Sequence, residues 1–160
     1  MLTAVYDSNL KELNKKPFSI YVGNTKLEEA EERAGMMFYT VDGEIPTQSQ
    51  DKTALIIGTS LYPVEVENTK SYTVTRIRQL PYEDTQVVED QLREVQINGL
   101  SGLEFDFRGS KGLDRPEELV YVLMLYEGPK YYLLIGNAID NFQTNLELFR
   151  EVVSTFQINE

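Results

Sequence analysis

Hydrophobic and polar positions alternate most clearly between Leu103 and Arg108, where Leu103, Phe105 and Phe107 interleave with Glu104, Asp106 and Arg108. A period of two is that of a strand, and it predicts one apolar and one wet face. Asn98-Gly99 just upstream is the dipeptide favoured in tight hairpin turns, because both residues tolerate positive φ. Segments 85–97 and 100–108 therefore read as a hairpin. A strict two-residue loop would pair Glu94 with Leu103 and put the Leu/Phe stripe opposite the face of Val95 and Ile97. A bulged loop would put Val95 on the same side as the stripe. The bulge is the expected form, since it leaves a single greasy face.

Two later segments are apolar on both parities. Leu119, Tyr121, Leu123 and Leu125 alternate with Val120, Val122, Met124 and Tyr126, and Tyr131 to Ile139 is similar. Strands greasy on both faces must be covered twice, so helices are expected on both sides of one sheet. Glu127-Gly128-Pro129-Lys130 joins them. Thr53 to Gly58 is a further buried strand, and Met36 to Val41 another, followed by an Asp42-Gly43 turn and an exposed loop over 44–52.

Helical spacing appears at the C-terminus, where Leu146, Phe149, Val153 and Phe156 recur on one face behind a Thr144-x-x-Glu147 capping box. A second box, Thr25-x-x-Glu28, precedes Glu29 and Arg33 at i,i+4 spacing, with Gly35 as a stop. It predicts a helix lying shallowly on the core, since only Leu27, Ala30 and Ala34 supply its stripe. Phe18 to Gly23 reads as a strand, and Asp7 or Ser8 as the cap of a short helix carrying Leu10 and Leu13, stopped by Pro17. Residues 68–80 are open between strand and helix: Thr and Val favour strand, whereas Asn68, the Val74 and Ile77 pair and Pro81 favour helix. Helix is preferred because a crossover is needed there.

Composition narrows the function classes. The chain has 160 residues, 41% hydrophobic and 26% charged, which describes an ordinary soluble globular protein of one domain, 1–160. Its formal net charge of −11 opposes phosphate backbones and anionic membranes, so nucleic acid is an unexpected partner. There is no Cys, His or Trp. That removes thiolate zinc sites, Ser-His-Asp and Cys-His catalysis and the commonest general base at neutral pH. No cofactor is implied. No stretch approaches the roughly 20 apolar residues of a membrane span. Met1 to Ser8 lack a signal-peptide pattern, and the compartment stays open between cytoplasm and export.

The remaining chemistry is sparse. Glu104 and Asp106 sit two apart on one strand, with side chains about 7 Å apart, a spacing that suits acid–base work or a divalent ion; Asp84 could join them. A solvated hairpin face explains the same residues. Gly109-Ser110-Lys111-Gly112 has pieces of a phosphate loop but precedes a strand, so a connecting turn is expected. Ser101 has no histidine to activate it. Glu28, Glu29, Glu31 and Glu32 form an acidic run that could meet a basic partner. Tyr62 and Tyr82, each beside a proline, are the tyrosines expected to make exposed contacts.

The order of elements, with Ile97-Asn98-Gly99 through Phe107, Tyr131 to Ile139, and Leu148-Phe149-Arg150-Glu151-Val152-Val153-Ser154-Thr155-Phe156, resembles the PsbP-like superfamily over residues 53–157. That group includes a photosystem extrinsic protein, a Ran-binding nuclear import factor and many small bacterial proteins. Residues 1–52 depart from its pattern, lacking the early Pro-x-x-Trp motif. The resemblance implies an α+β fold, an α/β/α sandwich on a mostly antiparallel central sheet flanked by helices. It also implies a binding or assembly factor for a protein partner rather than an enzyme, as in lipoproteins or small secretion chaperones of the group. The alternative is a carboxylate-based divalent-metal binder or hydrolase using Glu104 and Asp106.

Overall fold

The computed structural model describes residues 16–159. The short helix expected around Leu10 and Leu13 lies outside the described residues. The fold is α+β: among the described residues, a seven-stranded sheet, antiparallel throughout, with two α-helices. Its strands are β2 (Glu28–Arg33), β3 (Met36–Thr40), β4 (Ala54–Thr59), β5 (Arg93–Ile97), β6 (Leu100–Gly109), β7 (Glu118–Glu127) and β8 (Lys130–Ala138). They lie side by side in the order β2-β3-β4-β8-β7-β6-β5. A separate two-stranded ribbon pairs β1 (Phe18–Ser19) with β9 (Gln157–Ile158). The helices are α1 (Thr69–Arg78) and α2 (Phe142–Val153). Among the described residues no helix is long and apolar enough to cross a membrane.

The doubly apolar strands lie inside the sheet. In β7, Tyr121, Leu123 and Leu125 face one cluster, which holds Phe149, Val152 and Val153 of α2 and Phe156 just beyond it. The other parity, Val120, Val122, Met124 and Tyr126, faces a second cluster with Val74 and Ile77 of α1. Each large side chain so buried contributes on the order of 2 kcal/mol.

The two faces are covered unequally. On the α2 side the β1–β9 ribbon extends the cover towards β3 and β4: Phe18 stacks on Phe156 at 5.4 Å and meets Tyr132 at 6.2 Å. Leu27, Leu55, Ile57, Met37 and Tyr39 are buried there. On the α1 side the helix packs over β6 and β7. Phe38, Ile56, Leu133 and Ile135, neighbours by register across β3, β4 and β8, are only partly covered.

Several expectations change. The acidic run is not a helix: Glu28–Arg33 is an edge strand, joined to β3 by a tight turn in which Ala34 and Gly35 have φ of 51° and 79°. Glutamates are good helix formers, but this run has too few apolar positions to hold a helix on the core. As a strand it instead satisfies the backbone edge of β3. Thr25 accordingly makes a local turn, donating to the Val22 carbonyl at 2.7 Å and accepting from the Leu27 N–H at 3.1 Å. The strand expected from Phe18 to Gly23 shrinks to two residues. Segment 85–92 is irregular apart from a short 3-10 turn, so only Arg93–Ile97 pairs in the central hairpin. At the C-terminus the helix starts before its supposed capping box: Asn141, with φ of 47°, precedes it, and the Asn145 N–H donates to the Asn141 carbonyl.

The hairpin register is the two-residue form and not the bulge, with Ile97 opposite Leu100 and Glu94 opposite Leu103. Asn98 and Gly99 have φ of 47° and 86°. The bulge would leave a single greasy face, but both faces are covered here. Leu103 and Phe105 belong to the α1-side cluster, while Val95 and Ile97 pack on the α2-side one. Gly102 makes room for this: a Cβ there would lie 2.8 Å from Leu125 and 3.0 Å from Val95. The expected strands 36–41, 53–58, 119–126 and 131–139, and the helix within 68–80, are present with boundaries shifted by a residue or two.

Candidate functional site

Glu104 and Asp106 do not form a wet face. Their strand turns that parity towards α2, and Glu104 is only 8% exposed. The Tyr121 hydroxyl donates to its Oε2 at 2.6 Å. The Arg93 Nε donates to its Oε1 at 3.0 Å, and Arg150 of α2 stands 3.5 Å away. Asp106 pairs with the same two guanidiniums. Two carboxylates thus face two arginines in a neutralised cluster that clamps α2 to the β5–β6 hairpin. Burial, then the Glu104 carboxylate, pushes the Tyr121 phenol well above its usual pKa, so it stays a donor. A divalent ion there would have to displace two guanidiniums. Asp84 is exposed in the loop before β5, with φ of 54°. Among the described residues no three His, Cys, Asp or Glu side chains are grouped to hold a metal.

The loop with phosphate-loop pieces is a connecting turn, as expected. Ser110 donates to the Gly112 carbonyl at 2.6 Å. Lys111 sits over the Tyr82 ring at 5.4 Å and faces Glu118 at 3.9 Å.

The acidic run and the tyrosines separate in space. Glu28, Glu29, Glu31 and Glu32 are exposed along the outer edge strand β2, which is interrupted by a bulge between Glu29 and Glu32. Lys16 pairs with Glu29, and Arg33 with Glu31. Tyr62 is 79% exposed, beside Leu61 at 88%. Tyr82 is instead half-buried, edge-on to Phe107 at 5.6 Å. Burial and then neighbouring Glu118 raise its pKa. Its ring is needed to cover β6, so it does not offer the free contact expected of it.

Leu61 and Tyr62 follow β4, and Leu61 borders the half-covered α1-side face. There Ile56, Gly58, Leu133 and Ile135, with Met36, Leu61, Tyr131 and Arg76 around them, line a cavity of about 210 Å³. The α1 wall is held by phenols: Tyr72 and Tyr131 share a hydroxyl contact at 2.9 Å, and Tyr126 and Thr73 another at 2.8 Å. Burial raises the pKa of Tyr126 and of Tyr131 to about 12, leaving both neutral. Periodicity could not locate this face, because a strand residue looks equally apolar whether or not anything covers it.

No family model matches the chain, and no curated protein sequence does. Among solved structures it is similar in fold to a protein of Bacteroides thetaiotaomicron VPI-5482, crystallised at 1.50 Å resolution, with a TM-score of 0.56 at 10% identity. The alignment covers 90% of this chain and 46% of that one, so this chain spans about half the length of the protein it matches. At that identity the likeness is one of fold alone.

Proposed function

We propose that this protein is a non-catalytic binding or assembly factor, an α/β/α sandwich of the PsbP-like kind, that holds a protein partner at its Leu61–Tyr62 loop. The observation that carries the reading is the placement of these two side chains, 88% and 79% exposed, just after β4, with Leu61 bordering a sheet face that is itself only partly covered. Large apolar groups scattered singly are ordinary on a surface; an adjacent pair, one member of which borders further half-covered apolar residues, is the feature of an interaction site. The acidic edge strand of Glu28, Glu29, Glu31 and Glu32, beside β3, supplies charge selection, favouring partners with a basic rim. The absence of His and Cys, and the neutralised state of Glu104 and Asp106, weigh against acid–base catalysis.

The test is affinity capture with cross-linking from the native lysate, using the wild type and a Leu61→Ser/Tyr62→Ser variant. Both side chains are solvated, so the variant should melt like the wild type. A stoichiometric protein captured by the wild type and lost by the variant is the expected result. Identical capture by both, or none by either, would remove the reading.

A further inference from the structure

We infer that the cavity under Leu61 is a binding site for an apolar monocarboxylate, a medium-chain or arylalkyl acid, with Arg76 as the carboxylate anchor. This goes beyond partner binding at the loop, because it assigns a small ligand to the slot beneath it.

Two independent observations meet there. The walls are apolar: Ile56, Leu133 and Ile135 from the sheet, Met36 and Leu61 from the rim, and the Tyr131 ring. Gly58 keeps the floor low, since a Cβ at that position would come within 3.3 Å of Met36. Among the described residues, the single charged side chain lining this space is Arg76. Its guanidinium is bound at one corner, where Nη1 donates to the Gln79 side chain at 3.0 Å. Among the described residues no carboxylate pairs with it.

An arginine fork pairs best with two carboxylate oxygens. An acid group beside the guanidinium neutralises its charge, while its chain displaces water from the apolar wall. The acid must be small. A cavity of about 150 Å³ accepts benzene, so 210 Å³ suits a chain of roughly six to eight carbons. Met36 gives the mouth an adaptable lip. A cation is repelled by Arg76, and a neutral alcohol supplies only one acceptor.

Isothermal titration calorimetry of the full chain with sodium octanoate tests the site, with octylammonium, 1-octanol and acetate as controls. Octanoate should bind saturably at one per chain, at least tenfold tighter than any control. Arg76→Gln should weaken it at least tenfold, and Arg76→Lys should fall between, since an ammonium lacks the fork. Leu133→Phe, which fills the slot and leaves Arg76 in place, should also weaken it. Tyr62→Ser, which leaves every residue of the cavity lining in place, should keep octanoate binding while weakening capture of the protein, which separates this inference from the loop reading. No saturable octanoate binding, equal binding of the alcohol, or unchanged affinity in folded Arg76→Gln would overturn the inference.

Discussion

The hydroxyl of Tyr121 and the carboxylate of Glu104 meet at 2.6 Å in the interior of the sheet's α2-side face, beneath Arg150. Tyr121 comes from the doubly apolar strand β7 and Glu104 from the alternating strand β6, so this bond joins the two patterns that define the fold. It also explains how an acid can stand on a buried parity: every charge on Glu104 has a donor.

Tyr121→Phe removes one hydrogen bond to a charged acceptor and leaves Arg93 and Arg150 in place, so it should cost about 1.5–3 kcal/mol. Glu104→Gln should cost about 2 kcal/mol. Removing one partner of a fully buried ion pair typically costs more, about 3–5 kcal/mol, but both arginines here are partly solvated. Urea unfolding of the single and double variants forms a cycle. A coupling of about 1 kcal/mol or more is expected; additive effects would mean that the contact does not contribute.

Gly136 lies under α2 with no space for a side chain: a Cβ would stand 2.7 Å from the Phe149 ring. Gly136→Ala should therefore destabilise by about 1–3 kcal/mol, through overpacking and not through backbone strain. The check is the same substitution in a Phe149→Leu background, where most of the loss should disappear. A penalty that persists there would point to the backbone instead.

Asp42 organises the loop between β3 and β4. Its carboxylate accepts from the Thr47 hydroxyl at 2.7 Å and from the N–H groups of Gln48, Ser49 and Glu44 at 2.7, 3.2 and 3.2 Å. The Thr47 bond first, with the backbone bonds, outweighs the opposing effect of burial and lowers its pKa to about 2. Because the folded value lies below the unfolded one, near 3.9, the stabilisation is complete above about pH 4 and is lost as pH falls through 2. Asp42→Asn should lower the melting temperature at pH 7, and the gap from wild type should close between about pH 4 and pH 2. A gap independent of pH over that range would contradict this account.

The edge strand Glu28–Arg33 marks a limit of local reading. Its residues prefer a helix, and Thr25 with Glu28 imitates a helix start, but β3 follows Arg33 after only a two-residue turn. That short connection leaves no room for a helix to end and cross to the sheet. The central hairpin is a second case. The Asn98-Gly99 turn was legible, but the choice between registers depended on what lay over each face. Asn98 also donates from Nδ2 to the Phe156 carbonyl at 2.7 Å, tying the hairpin tip to the end of α2, a contact between segments far apart in sequence.

The sequence by itself determined the inner strands Glu118–Glu127 and Lys130–Ala138, the strand Ala54–Thr59, the last helix and the Asn98-Gly99 and Gly128-Pro129 turns. In each of these, hydrophobic period and turn chemistry are local properties that point the same way. Tertiary structure alone decided that Glu104 is buried, that Tyr82 is enclosed while Tyr62 is free, and that the face around Ile56 and Ile135 is left half open. Those outcomes depend on which distant side chain lies over each strand, and a residue's own pattern carries no record of its cover.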